Sequence, residues 1–194
     1  MGSLGSQLLA ANQIALQYMG AFMTVIFSIA QAITVRMGHL LGAKEIRAAE
    51  KSSYLGTAIA IAFISVISII YLFFPEPLIS VDFNVHDPDN YSIVSEIKTL
   101  LAIAALFQIF ETMRIALFGS LRSLKDTKFT MAASMISFWG IALPTGYLLA
   151  TQLQLGGAGF WWGMVLGAGA SATLLQWRFR LKMRRYYNFA SVHA

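Results

Sequence analysis

Residues 93–119 read IVSEIKTLLAIAALFQIFETMRIALFG, and between Leu100 and Phe118 the run is apolar except at Gln108, Glu111, Thr112 and Arg114. No alternation of polar and apolar residues marks a half-buried strand. A helix of about 20 such residues crosses the roughly 30 Å of hydrocarbon in a bilayer. Lipid cannot satisfy backbone N–H and C=O groups, so the run is read as a spanning helix. Working outward, four more segments qualify, approximately 8–35, 52–74, 129–150 and 157–177. The expectation is an all-α, polytopic membrane bundle of five transmembrane helices, forming one membrane domain over 1–194.

Composition agrees with lipid as the solvent. Hydrophobic side chains make up 57% and charged ones 12% of the 194 residues, against about 25% charged in a soluble domain. Mean hydropathy is +0.65. There is no cysteine, which excludes disulfides, thiolate chemistry and thiolate metal sites. Met1 to Gln7 carries no basic region, so no cleavable signal is expected.

The net charge of +5 is sorted along the chain. Twelve of the 14 Lys and Arg fall in three groups: Arg36, Lys44, Arg47 and Lys51; Arg122, Lys125 and Lys128; Arg178, Arg180, Lys182, Arg184 and Arg185. The loop 75–92 holds Glu76, Asp82, Asp87 and Asp89 and no Lys or Arg, and the turn 151–156 is uncharged. Basic residues in short loops favour the cytoplasmic side. The chain is therefore expected in the plasma (inner) membrane, N-terminus outside and C-terminus in the cytoplasm. Anionic headgroups rather than nucleic acid account for the basic, aromatic segment after span five.

Within this frame, Pro75 and Pro77 should end span two, Pro144 should kink span four, and the charged segment Gly42 to Lys51 reads as a short interfacial helix. Trp161, Trp162 and Trp177 fit interfacial aromatic belts.

Glu111 is the leading functional candidate, because a carboxylate inside a span is costly unless paired or hydrated. Gln108 and Arg114 lie three residues to either side, near one helical face, and the three could build a cation site or proton carrier. A plain ion pair between Glu111 and Arg114 is the structural alternative. Gln13, Gln17, Thr24, Ser28 and Gln31 form a polar stripe along span one, suited either to lining a pathway or to interhelical hydrogen bonding. Gly159, Gly163, Gly167 and Ser171 recur every four residues and make a close-packing groove, its partner left open.

Enzyme chemistry finds no support. The acids of the loop 75–92 lack EF-hand spacing; His39, His86 and His193 lack zinc-ligand spacing; and no phosphate-binding glycine loop or serine elbow is present. No metal and no cofactor is expected.

Several blocks carry a family resemblance. Ala10-Ala11-Asn12-Gln13-Ile14, continuing to Ile33-Thr34-Val35-Arg36-Met37-Gly38-His39 and Leu41-Gly42-Ala43, is similar to the eighth span and following loop of the multidrug and toxic compound extrusion (MATE) transporters. Leu106-Phe107-Gln108-Ile109-Phe110-Glu111, Gly119-Ser120-Leu121-Arg122 and Asp126-Thr127 resemble the tenth span and its loop. Trp139, Leu143-Pro144, Gly146-Tyr147, Leu155-Gly156-Gly157-Ala158-Gly159 and Trp162-Gly163 extend the match through spans eleven and twelve.

The resemblance implies part of a twelve-span, two-lobed antiporter that exports organic cations against a sodium or proton gradient. This chain would supply spans eight to twelve, and a separate chain could supply the missing lobe. Glu111 matches an acidic position implicated in cation binding, and Gln13, Gln17 and Gln31 become cavity candidates. Two features depart from the pattern: Arg114 adds a charge to the cavity wall, and the acidic residue of span seven is absent. A non-transporting subunit or remnant that docks a partner is the alternative.

Overall fold

The computed structural model describes residues 6–80 and 91–192. Among these residues there are seven α-helices: α1 (Ser6–Gly42), α2 (Ile46–Phe73), α3 (Pro75–Ile79), α4 (Tyr91–Ser123), α5 (Thr127–Met135), α6 (Leu143–Thr151) and α7 (Gly156–Val192). A π-helical segment, Ile136–Ala142, joins α5 to α6. Among the described residues, five stretches are long and apolar enough to cross a membrane, with α5, the π segment and α6 together making the fourth. Asp82, Asp87, Asp89, His86 and His193 lie outside the described residues.

The helices outrun the apolar segments that define them. α1 continues to Gly42 and α2 starts at Ile46, so Gly42 to Lys51 is not a separate interfacial helix. Amphipathic charge there marks the ends of two spanning helices, whose internal hydrogen bonding continues beyond the hydrocarbon. The basic segment after span five is likewise helical, as part of α7.

Two reversals share one construction. At the end of α1, Glu45 N–H donates to the Leu40 carbonyl (2.9 Å) and Lys44 N–H to Leu41 (3.1 Å). At the end of α4, Asp126 N–H donates to Leu121 and Lys125 N–H to Arg122, both at 3.0 Å. This is the Schellman pattern, which needs a left-handed residue just past the helix. Lys44 (φ 62°) and Lys125 (φ 55°) fill the position usually given to glycine. A left-handed lysine costs about 1 kcal/mol, and in exchange each turn carries a positive charge.

Proline sets two further features. α2 stops at Phe73, before Pro75 opens the short α3. That helix is pinned to α1 where the Tyr18 hydroxyl donates to the Leu78 carbonyl (2.8 Å). Pro144 lies at the start of α6. The turn before it widens into the π segment, and the Thr145 hydroxyl donates to the Ile141 carbonyl at 2.6 Å. Local π turns and Ser/Thr hydroxyl bonds are common where a proline removes one N–H from a helix interior.

α4 is the hub, with 56% of its apolar window buried against 22% for α1. One apolar cluster surrounds its first half and includes Ile26, Ile64, Leu100, Leu101 and Trp161; a second surrounds its last turns and includes Met37, Leu117, Leu121, Leu175 and Phe179. Trp161 is therefore core rather than belt: it is 1% exposed, stands edge-on to Phe107, and donates from its indole N–H to Asn12 (3.0 Å). Trp162 and Trp177 are exposed.

Small residues decide how closely the helices approach. A Cβ on Gly119 would collide with the Ala30 carbonyl oxygen of α1. At the same crossing Thr34 donates to the Gly119 carbonyl (3.1 Å) and Ser123 to that of Thr34 (2.8 Å). At the next residue of α4 after Gly119, the buried hydroxyls of Ser120 and Ser53 meet at 2.6 Å and tie α2 to α4. Such bonds compensate for the lack of a hydrophobic drive between helices in lipid.

Candidate functional site

Glu111 sits in α4 where the two apolar clusters meet. Its carboxylate is paired with Arg114 one turn later: Nε donates to Oε2 at 2.8 Å and Nη2 to Oε1. The side chains are 13% and 16% exposed respectively. Arg114 Nη1 reaches Ser134 Oγ of α5 at 3.5 Å, and the guanidinium lies 5.8 Å from the Phe118 ring centre and 5.3 Å from that of Phe138. The sequence left pairing and separate roles open, and the two groups form a two-point ion pair packed between aromatic rings.

Gln108 does not join them. It is fully buried, close to Tyr71 of α2, and among the described residues neither its amide nor the Tyr71 hydroxyl closes a hydrogen bond. The expectation of one shared face fails for a geometric reason. Each step of three residues falls about 60° short of a full turn, so two steps set Gln108 and Arg114 about 120° apart.

The stripe on α1 is exposed at Gln13, Gln17, Thr24, Ser28 and Gln31. Thr24 and Ser28 donate back to carbonyls of their own helix. Gln31 bonds another span, accepting from Arg122 Nη1 at 3.3 Å. Apart from Gln31, which meets α4, the stripe is a polar, exposed face along the first span.

The partner left open for the glycine groove is the fourth span of the same chain. A Cβ on Gly159 would lie 2.5 Å from the Ala150 nitrogen; on Gly163, 2.5 Å from the Ala142 carbonyl oxygen and from Gly146; on Gly167, 2.5 Å from the Ala142 Cβ. Ser171 is buried on the same face.

One charged constellation was missed by the sequence reading. Asp126, in the turn after α4, accepts from Arg178 Nε of α7 at 2.7 Å and lies 3.4 Å from Lys182 Nζ, while Arg178 stacks 4.7 Å from the Phe129 ring centre. Burial alone would raise the Asp126 carboxyl, but the Arg178 hydrogen bond and the charges of Lys182 and Arg178 outweigh it and hold it below its ordinary 3.8. The only signal in the sequence is an acid standing amid Arg122, Lys125 and Lys128.

A pH dependence follows from this. A carboxyl whose pKa is lower in the folded protein stabilises the fold above its unfolded value, and that contribution is lost as pH falls through the folded one. Asp126→Asn is expected to lower stability by about 1.5–3 kcal/mol at neutral pH, the range for hydrogen bonds to charged groups. The gap from wild type should close below about pH 3.8, as measured by thermal unfolding in detergent. A gap that stays constant down to about pH 3 would show that the ion pair is not its source.

Among the described residues, no group of three or more His, Asp or Glu converges as a metal site. The site's chemistry is therefore that of one carboxylate whose partner is a tethered guanidinium, beside an exposed polar helix face.

The MatE family model matches residues 1–148. The chain is 38% identical over 182 residues to "Multidrug resistance protein NorM" of Burkholderia vietnamiensis, covering 94% of this chain and 39% of that protein. It is 33% identical to "Probable multidrug resistance protein NorM" of Pseudomonas putida, over 99% of this chain and 42% of the relative. It thus spans about two fifths of the curated relatives it matches. The crystal structure of the eukaryotic MATE transporter AtDTX14 superposes with a TM-score of 0.75 at 19% identity, over 95% of this chain and 40% of that one, a likeness of fold. With the family model covering most of its length and a five-span bundle superposing on a solved transporter, the chain belongs to the MatE family.

Proposed function

We propose that this chain forms part of a cation-coupled multidrug-efflux antiporter, in which sodium or proton entry drives export of organic cations. The observation that carries the reading is the Glu111–Arg114 pair. A carboxylate held inside a spanning helix by a tethered cation is a site where an entering cation exchanges with the guanidinium. Either sodium or a proton satisfies the carboxylate once Arg114 swings away, so the pair can be opened and closed by the coupling ion.

Alternating access moves one helix bundle against another around a shared path. The relatives named multidrug resistance proteins are about two and a half times as long as the stretch matched here. A further bundle is thus proposed as the partner, facing the polar stripe Gln13, Gln17 and Gln31. The organic cation would pass between the two.

Orientation belongs to the same reading: plasma membrane, N-terminus outside, C-terminus in the cytoplasm, with Lys44 and Lys125 on the inner turns. The absence of cysteine makes a direct test clean. Ser80→Cys should react with a membrane-impermeant maleimide in intact cells, and Lys125→Cys only after permeabilisation. Labelling of both from one side would end this topology. Transport itself is tested by ethidium accumulation in cells producing the chain together with the portion its longer relatives carry. Lower accumulation than in cells lacking the chain is expected; equal accumulation would leave a docking subunit without transport as the remaining reading.

A further inference from the structure

We propose that the cleft between α1 and α4 binds an anionic oxygen group carried on an apolar body, with Arg122 and Gln31 holding the oxygens. The cleft measures about 220 Å³ and is lined by residues that include Phe27, Gln31, Thr34, Arg114, Phe118 and Arg122. That volume falls below the roughly 300–1,000 Å³ of sites that enclose a drug-sized ligand. It suits an anionic head with its first ring or chain segment. The inference concerns binding alone and does not rest on the transport reading.

Charge decides the class of ligand. Two guanidinium groups reach the cleft, and Arg114 is neutralised by Glu111. Arg122 has no carboxylate within 4 Å among the described residues, and its Nη1 donates to the neutral amide oxygen of Gln31 at 3.3 Å. The wall therefore carries one uncompensated positive charge. A guanidinium offers five N–H donors in a flat fork matched to carboxylate or phosphate oxygens. Only one of those donors is occupied by Gln31, whose own amide N–H groups stand beside them. Thr34 contributes shape rather than a donor, because its hydroxyl is committed to the Ala30 and Gly119 carbonyls.

The apolar requirement comes from the rest of the lining. Phe27 is 56% exposed on α1, and Phe118 is half-buried on α4 with Ala30 and Ile115 nearby. Rings flanking a guanidinium favour a flat apolar body attached to the anion over a bare hydrated ion. Two sources share this chemistry: a soluble aromatic carboxylate, and an anionic lipid whose phosphate sits on Arg122 with its chain along the phenylalanines.

Two arms of one experiment separate them. Purified chain in phosphatidylcholine nanodiscs is titrated calorimetrically with 2-naphthoate and with the neutral 2-naphthamide. In parallel, phosphatidylglycerol retained by the detergent-purified chain is counted by native mass spectrometry. Arg122→Gln is expected to weaken naphthoate at least tenfold or to remove a phosphatidylglycerol adduct, and Gln31→Leu to weaken the same ligand severalfold. Arg47→Gln, a basic residue outside the cleft, should leave both unchanged. Both variants replace exposed side chains, and thermal unfolding checks that the fold is kept. Loss in the naphthoate arm identifies a soluble anion, and loss in the lipid arm a headgroup. Binding that is absent from both arms, or insensitive to Arg122→Gln, overturns the proposal.

Discussion

Glu111→Gln is expected to reduce ethidium efflux by the assembled transporter at least tenfold, a loss of about 1.4 kcal/mol or more. The glutamine keeps the shape of the side chain but offers neither the charge that holds Arg114 nor the one that would hold a coupling ion. Stability should fall as well. Breaking a fully buried ion pair from one side costs about 3–5 kcal/mol, because the other charge is left stranded. The effect here should sit at or below the low end, since both side chains keep some exposure. Loss of activity alone therefore cannot separate a coupling role from a structural one.

The double variant Glu111→Gln/Arg114→Gln makes that separation. Removing both charges leaves neither stranded, so unfolding temperature should recover most of what Glu111→Gln loses, while efflux stays low. Arg114→Gln alone should lower the concentration of coupling cation needed for half-maximal efflux, because the carboxylate loses the tethered cation that competes for it. If the double variant transports as wild type does, the carboxylate holds α4 together and takes no part in coupling. An unchanged dependence on the coupling cation in Arg114→Gln would show that the guanidinium does not govern the site.

The second large effect is expected far from any charge. Gly163→Leu should prevent the fourth and fifth spans from docking, with most of the protein lost to aggregation on extraction. Even one methyl group would stand 2.5 Å from the Ala142 carbonyl oxygen and from the nitrogen and Cα of Gly146. These are backbone atoms, which cannot rotate away as a side-chain tip can. Ordinary overpacking costs about 1–3 kcal/mol. Here two helices would have to separate, losing along their length the dispersion contacts that hold membrane helices together. Gly20→Leu, where nothing lies within 4 Å of the added Cβ, is the control and should leave unfolding unchanged. Equal stability of the two variants would remove the close crossing from the account.

The same contrast separates what was legible in the chain from what was not. Five spans, their order and the sorting of basic residues follow from composition and run length, because lipid imposes one rule on every residue of a span. Gly159, Gly163 and Gly167 announced a close contact for the same local reason: spacing by four places them on one helix face. The carboxylate of Glu111 stood out because its surroundings in the sequence are apolar. Each of these readings depends on neighbours within a turn or two.

What only the tertiary structure decided depends on residues far apart in the chain. That the glycine groove receives the π segment and α6 requires knowing which span lies beside α7. That Asp126 is held by Arg178 and Lys182 spans 52 residues or more, and that Arg122 meets the Gln31 amide depends on α1 crossing α4 at Gly119. Even within one helix, the angular drift that parts Gln108 from Arg114 matters only once α2 and α5 occupy different sides. A sequence states what each face of a helix offers; which face meets which is settled when all the helices pack at once, since every crossing must satisfy the backbone contacts of its neighbours.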